Sequence, residues 1–333
     1  LDLHSWSLVC PTINGPVSPT QMTSTKVFLH KHRSQYICHM KPLILLSFLV
    51  CFVDGAFAQL YDTFAATPLA VGKSSYAGVS WSTDGSSILY SFPDSSGVYQ
   101  LYCMEADGHN ISQLTIDTNS HMLPRQHPKK AQIGFNTMIK GKHALYFIEE
   151  ANPKLQKLLI NRNIQMKGLD YNPTGNLVSL IGKSDLDKHW NLYSYDFRYN
   201  NLNKLTDDQD EITYARWSPT GEFISFTRYQ SQNHKSQVEV IHWYGKLINT
   251  FSDREADITD ASWSPNGYRM VYVFTANGVS RLMICRKDGS EQQEIFSTKG
   301  IVHAPDWAPD GKNIIFTLET PEGTFAIWKI SLE

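Results

Sequence analysis

The stretch WSPTGEFISF, beginning at Trp217, returns in variant form along the chain, and its spacing constrains the fold more than any other feature. WSTDG starts at Trp81, WSPNG at Trp263 and WAPDG at Trp307. Two weaker copies fill the long interval: QHPKK from Gln126 and YNPTG from Tyr171. The anchors at 81, 126, 171, 217, 263 and 307 are spaced by 45, 45, 46, 46 and 44 residues. A regular period of this length marks a repeat architecture, in which no unit buries its faces alone and stacked neighbours make the core.

Every repeat carries the same signals. A short apolar segment ends at the anchor, as in ITYARW and ITDASW. A turn follows, with Pro fixing one backbone angle and Gly free to adopt positive φ. Runs of alternating character come next (SSILYSF, EFISFTR, YRMVYVF), then a third run (QLYCM, NLYSY, LMICR) and, past an ADG- or KDG-type turn, a fourth. Alternation with period two is strand patterning, and helical periodicity is absent. Four short strands per unit and six units predict an all-β, six-bladed β-propeller of four-stranded antiparallel blades. The large anchors are expected to fill the wedges between blades. The sixth repeat stops after its third strand, at Ile330-Ser331-Leu332-Glu333. Residues 60–71 have no other place in a repeat, so they are expected to supply the missing outer strand and close the ring.

Upstream of the propeller, MKPLILLSFLVCFVDGAFAQ from Met40 reads as a signal peptide over Met40–Ala58. It has one basic residue, a short apolar run and Ala-Phe-Ala before the cut. The run is too short to span a bilayer. Residues 1–39 lack periodicity and read as a disordered upstream extension rather than a domain. The expected product begins at Gln59, is secreted or periplasmic, has no membrane span and is a monomer. Cys103 and Cys285 remain in it; they occupy equivalent slots in blades one and five, too far apart to bridge, and are expected to be free and buried. Asn110-Ile111-Ser112 is a glycosylation sequon. A formal net charge of −2 and the lack of any basic run leave no nucleic-acid role.

The W-S-P-[DNT]-G turn between two apolar strands, with an ADG or KDG turn some distance on, resembles the TolB-like propeller repeat; PDWAPDGKNIIF (305–316) and WSPTGEFISF (217–226) carry the likeness. It covers residues 76–330. The resemblance implies the propeller fold and docking of an envelope protein, since TolB binds a peptidoglycan-associated lipoprotein. TolB carries an α/β domain ahead of its propeller. Here 16 residues separate the expected cut from Ser75, so that domain is not expected. Related propellers serve prolyl-oligopeptidase-type peptidases and pectate-fragment lyases, so the fold leaves function open.

No G-x-S-x-G elbow, H-E-x-x-H or Cys/His cluster is present, and GKSS (72–75) lacks the first glycine of a phosphate loop. No cofactor or metal is expected. The candidate site is the mouth of the central channel. The slot before each anchor holds Ser80, Arg125, Asp170, Arg216, Ser262 and Asp306, and charges among core residues need partners or water. His121 and His303 lie five and four residues before their anchors; a metal site would need a third such ligand. Loops 206–211 and 252–257, with Asp260, form an acidic sector. His121, Arg125, Asp170, Arg216, Asp260, His303 and Asp306 are therefore the expected binding residues. The leading expectation is a propeller that binds a secreted or envelope protein through its channel face. The alternative is a carbohydrate-active lyase or hydrolase at the channel mouth, taking a small-molecule or glycan ligand.

Overall fold

A computed structural model describes residues 64–149, 152–157, 164–207 and 209–333. The extension expected over 1–39 and the leader expected over 40–58 lie outside the described residues.

The described strands form six four-stranded antiparallel sheets. The innermost strands are Val79–Trp81, Ser120–Gln126, Ile164–Tyr171, Glu211–Trp217, Asp257–Trp263 and Ile301–Trp307, each ending on an anchor. We number blades 1 to 6 in that order. Each inner strand turns back into a second and a third strand, such as Phe223–Gln230 and Lys235–His242 in blade 4, with Leu247–Phe251 outermost. Blade 6 takes its outer strand from the other end of the chain: Ala66–Gly72 runs antiparallel to Phe325–Ser331, from Ala66 opposite Ile330 to Gly72 opposite Phe325. The expected closure holds, and no blade edge is left open at the joint.

The core lies between blades. Six apolar clusters correspond to the six interfaces: Val238 and Val240 of blade 4 meet Trp263, Met270 and Tyr272 of blade 5, and Ile315 and Ile327 of blade 6 meet Val79, Trp81 and Ile88 of blade 1. Second strands are therefore buried on both faces, as in Ile224–Thr227. The anchors Trp81, Tyr171, Trp217 and Trp263 sit in the apolar clusters shared with the preceding blade. Trp263 Nε1 donates to Ser225 Oγ of blade 4 at 3.0 Å. In blade 2 the receiving position is Gly134, where a Cβ would come within 2.6 Å of the Tyr171 hydroxyl.

The repeated turn has its own reason. Its Gly takes φ of +71 to +78° at 85, 175, 221, 267 and 311, where L side chains are strained. The same glycine packs on the proline of the preceding turn: Gly221 on Pro173, Gly267 on Pro219, Gly311 on Pro265 and Gly85 on Pro309. The turns thus interlock around one face. Two joints differ: between blades 2 and 3 Gly175 faces the His127 ring instead of a proline, and between blades 1 and 2 both halves of the contact are missing, Thr83 replacing the proline and Lys130 the glycine. Gln126 bridges instead, its Oε1 accepting the Thr83 N–H at 2.7 Å. Cys103 and Cys285 form no disulfide; Cys285 is buried and Cys103 half-buried.

Gly134→Ala should lower stability by about 1–3 kcal/mol, because the new methyl overpacks the blade 2–3 wedge. Adding Tyr171→Phe, which deletes the nearest atom, should return part of the loss. Urea unfolding of the two single variants and the double measures this; strictly additive losses would contradict the packing described.

Candidate functional site

The channel carries two cavities that meet at a waist. One, of about 360 Å³, opens on the inlet face, where the inner strands begin; Leu123, Lys167, Tyr214, Asp260 and His303 contribute to its wall. The other, of about 390 Å³, opens on the face of the repeated turns and is bordered by Pro173, Pro219, Pro265 and Trp307, with Asp170 and Asp306 at its depth. Arg125 and Arg216 border both.

A ring of backbone irregularities builds the waist. Three residues before each anchor stand Gly78, Leu123, Gly168, Tyr214, Asp260 and Ala304, all at positive φ between +49 and +88°. Five inner strands show the matching bulge. In blade 4, Thr213 pairs with Thr227 and Arg216 with Ser225, so Tyr214 and Ala215 together face one residue. Four of the six are not glycine, and each such residue stores strain of about 1–2 kcal/mol. The turned backbone gives inter-blade hydrogen bonds: Leu123 N–H to the Ala77 carbonyl (3.1 Å), Asp260 N–H to Thr227 Oγ1 (3.0 Å) and Ala304 N–H to Asp260 Oδ2 (3.0 Å). It also sends Tyr214 across the channel. Its hydroxyl, on blade 4, donates to the Pro305 carbonyl of blade 6 at 2.8 Å.

The charged slots before the anchors are mostly latches. Asp306 Oδ2 accepts the Trp81 N–H at 2.9 Å and Asp170 Oδ2 the Trp217 N–H at 2.7 Å, while Ser80 Oγ donates to the Pro124 carbonyl. Arg125 lies between the two carboxylates, 3.0 Å from Asp306 and 3.8 Å from Asp170. Burial opposes its charge, but the paired carboxylates prevail and hold its pKa above the usual arginine range. Asp170 is the more weakly paired. Burial pushes its carboxyl up to about 7, against the pull of Arg125.

Arg216 differs from the others. Its guanidinium lies over the Tyr214 ring at 3.9 Å, one terminal nitrogen donates to the Ala215 carbonyl at 3.0 Å, and Nε is buried with no acceptor. No carboxylate lies within 4 Å of it among the described residues.

Of the expected residues, Arg125, Arg216, Asp260 and His303 come together at the inlet-face pocket. Asp170 and Asp306 open to the opposite mouth, which corrects the expectation of a single mouth. An inner strand rises about 3.3 Å per residue, so slots four and one before the anchor are about 10 Å apart along the channel. His121 joins neither cavity. It is fully buried, its ring nitrogens on Asp117 (2.8 Å) and Thr137 (3.0 Å). One residue of offset from the His303 slot turns it to the other side of its strand. His303 reaches the pocket mouth 3.5 Å from Asp260, and that carboxylate raises its pKa. Part of the acidic sector is paired: Arg228 meets Asp207 (3.2 Å), Asp210 (3.8 Å) and Glu239 (2.9 Å), and Lys235 meets Asp257 (3.6 Å). Sequence reasoning missed Tyr214 and Lys167. Glycines at 78 and 168, both three residues before an anchor, were the available hint of the bulge ring. Among the described residues no three His, Cys, Asp or Glu side chains converge to hold a metal.

The TolB β-propeller domain family matches residues 176–333, from blade 3 to the end of the chain. The chain is a six-bladed propeller distantly related to the TolB-family propellers. Comparison with the curated proteins gives no match. Among solved structures, TolB from Acinetobacter baumannii is 14% identical with a TM-score of 0.59, over 76% of this chain and 65% of that one. An oligogalacturonate lyase from Vibrio parahaemolyticus is 12% identical (TM-score 0.53, covering 81% and 94%). A gluconolactonase from Xanthomonas campestris is also 12% identical (0.59, covering 81% and 90%). At such identities the likeness is one of fold.

The raised pKa of Asp170 has a measurable consequence. Between about pH 4, where an unfolded aspartate titrates, and pH 7, the folded protein holds a proton that the unfolded chain has released. The stabilisation is full below that window and is lost as pH rises through it. From pH 5 to 7.5 the protein should lose about 2 kcal/mol relative to Asp170→Asn, which keeps an acceptor for the Trp217 N–H. Urea midpoints at the two pH values test this, and a constant difference would contradict it.

Proposed function

We propose that the chain is a ligand-binding propeller whose inlet-face pocket takes a small carbohydrate-type molecule. One observation carries the reading: Tyr214 bridges blades 4 and 6 across the channel and narrows it at the floor of the inlet cavity. Its volume of about 360 Å³ falls in the range of small-molecule sites. Apolar walls from Leu123, Val79 and Ile181 surround a few polar groups, the usual make-up of such sites. Support comes also from fold neighbours that act on sugar substrates, the oligogalacturonate lyase and the gluconolactonase. Protein docking, the leading expectation from sequence, would use the same mouth. A partner would then have to thread a chain end into this small space. With the leader expected at Met40–Ala58, the ligand is one met outside the cytoplasm.

A second reading, turnover of that ligand, is favoured by the His303–Asp260 pair. It stands at the mouth, and the hydrogen-bonded carboxylate raises the imidazole's pKa and orients a group of the type that serves as a general acid or base.

Thr213 is half-buried and borders the pocket. Thr213→Trp should fill it and weaken binding of mono- and disaccharides by about tenfold or more, with unfolding little changed. Calorimetric titration of both proteins with a sugar panel checks this. Absence of sugar binding by the unaltered chain, or binding indifferent to the tryptophan, would contradict the reading.

A further inference from the structure

The inlet pocket has a charge imbalance that its own residues leave open. Five ionisable cations and anions border it: Arg125, Lys167, Arg216, Asp260 and His303. Arg125 is neutralised from outside the pocket by Asp306 and Asp170. Asp260, the one carboxylate of the wall, is engaged by the Ala304 N–H and by His303. Lys167 and Arg216 are left. Lys167 Nζ lies over the Trp190 ring at 4.1 Å, and burial lowers its pKa. Neither cation has a carboxylate within 4 Å among the described residues.

Arg216 is the better placed of the two. Its guanidinium is pinned by Tyr214, which spans the channel at the waist, and by the Ala215 carbonyl. Its buried Nε–H has no acceptor, and an unsatisfied donor on a charged group is expensive to keep. Guanidinium presents adjacent N–H groups in a plane that matches both oxygens of a carboxylate. A carboxylate reaching the waist supplies the missing counter-charge and, after a small rotation of the guanidinium on the tyrosine face, an acceptor for Nε. Lys167, partly buried on the wall, adds positive potential there.

We propose that the inlet pocket selects ligands carrying a carboxylate, with Arg216 at its floor as the residue that receives it. This rests on the small-carbohydrate reading above and narrows it to acid sugars.

The test compares D-galacturonate with D-galactose, which differ by a carboxylate in place of a hydroxymethyl group, and adds benzoate as a carboxylate without a sugar. Dissociation constants come from NMR titration of the full chain, of Arg216→Gln and of Arg216→Lys. Galacturonate should bind about tenfold or more tightly than galactose, and the preference should vanish in Arg216→Gln and return in part in Arg216→Lys. Equal binding of the two sugars, or a preference that survives Arg216→Gln in a folded protein, overturns the carboxylate proposal and leaves the carbohydrate reading intact. Benzoate binding that needs Arg216, with neither sugar bound, overturns the carbohydrate reading and keeps the carboxylate site. No binding of any of the three overturns both. If Arg216→Gln unfolds, Arg216→Lys alone decides: a preference unchanged from the parent contradicts the proposal.

Discussion

The guanidinium of Arg125, held between Asp306 and Asp170, is the interaction on which the rest of the ring depends. Each carboxylate spends one oxygen on the backbone N–H of the following blade's anchor, Asp306 on Trp81 and Asp170 on Trp217. Buried carboxylates lose hydration; Asp170 meets this by holding its proton up to about pH 7, whereas Asp306, the more closely paired, is held by the Arg125 cation. Arg125 therefore ties its own blade 2 to blades 3 and 6 directly, and to blades 1 and 4 through the latches. Ring closure by Ala66–Gly72 secures the outer rim of blade 6; this cluster secures the waist.

With the waist fixed, the bulge ring acquires its purpose. A propeller channel lined by regular strands could run open from face to face. Positive-φ residues at one level of the inner strands turn amides toward the neighbouring blade and aim Tyr214 across the gap. The accumulated strain is tolerated because inter-blade hydrogen bonds and six packed wedges over-determine the geometry. The outcome is an inlet pocket narrowed at its floor, with an arginine there that has no carboxylate within 4 Å among the described residues.

Much of the fold was legible in the sequence, because the features that build it repeat. The anchors, their turns and the strand alternation recur six times, and a missing fourth strand pointed to residues 60–71, the region where Ala66–Gly72 completes blade 6. Departures were also informative: Thr83 and Lys130 fall at one joint and explain each other. The site was less legible. Position three before the anchor reads Gly, Leu, Gly, Tyr, Asp, Ala, a set with no shared chemistry, because what it shares is a backbone angle imposed by the closed ring. Counting residues along an inner strand also does not reveal which end of the channel they reach, so Asp170 and Asp306 were grouped with His303. His121 shows how one residue of offset moves a histidine from the pocket into a blade interior. Arg216 was visible as a charge in a core slot, but only the paired geometry of its counterparts separates it from them.

Two arginines occupy equivalent slots, Arg125 clamped between carboxylates and Arg216 proposed to receive a ligand, and parallel urea unfolding of Arg125→Gln and Arg216→Gln without ligand tests that difference most directly. Arg125→Gln should lose about 3–5 kcal/mol, because it leaves the buried Asp306 carboxylate without its cation, whereas Arg216→Gln should stay within about 1 kcal/mol of the parent. Equal losses, or a larger loss at Arg216, would contradict the account.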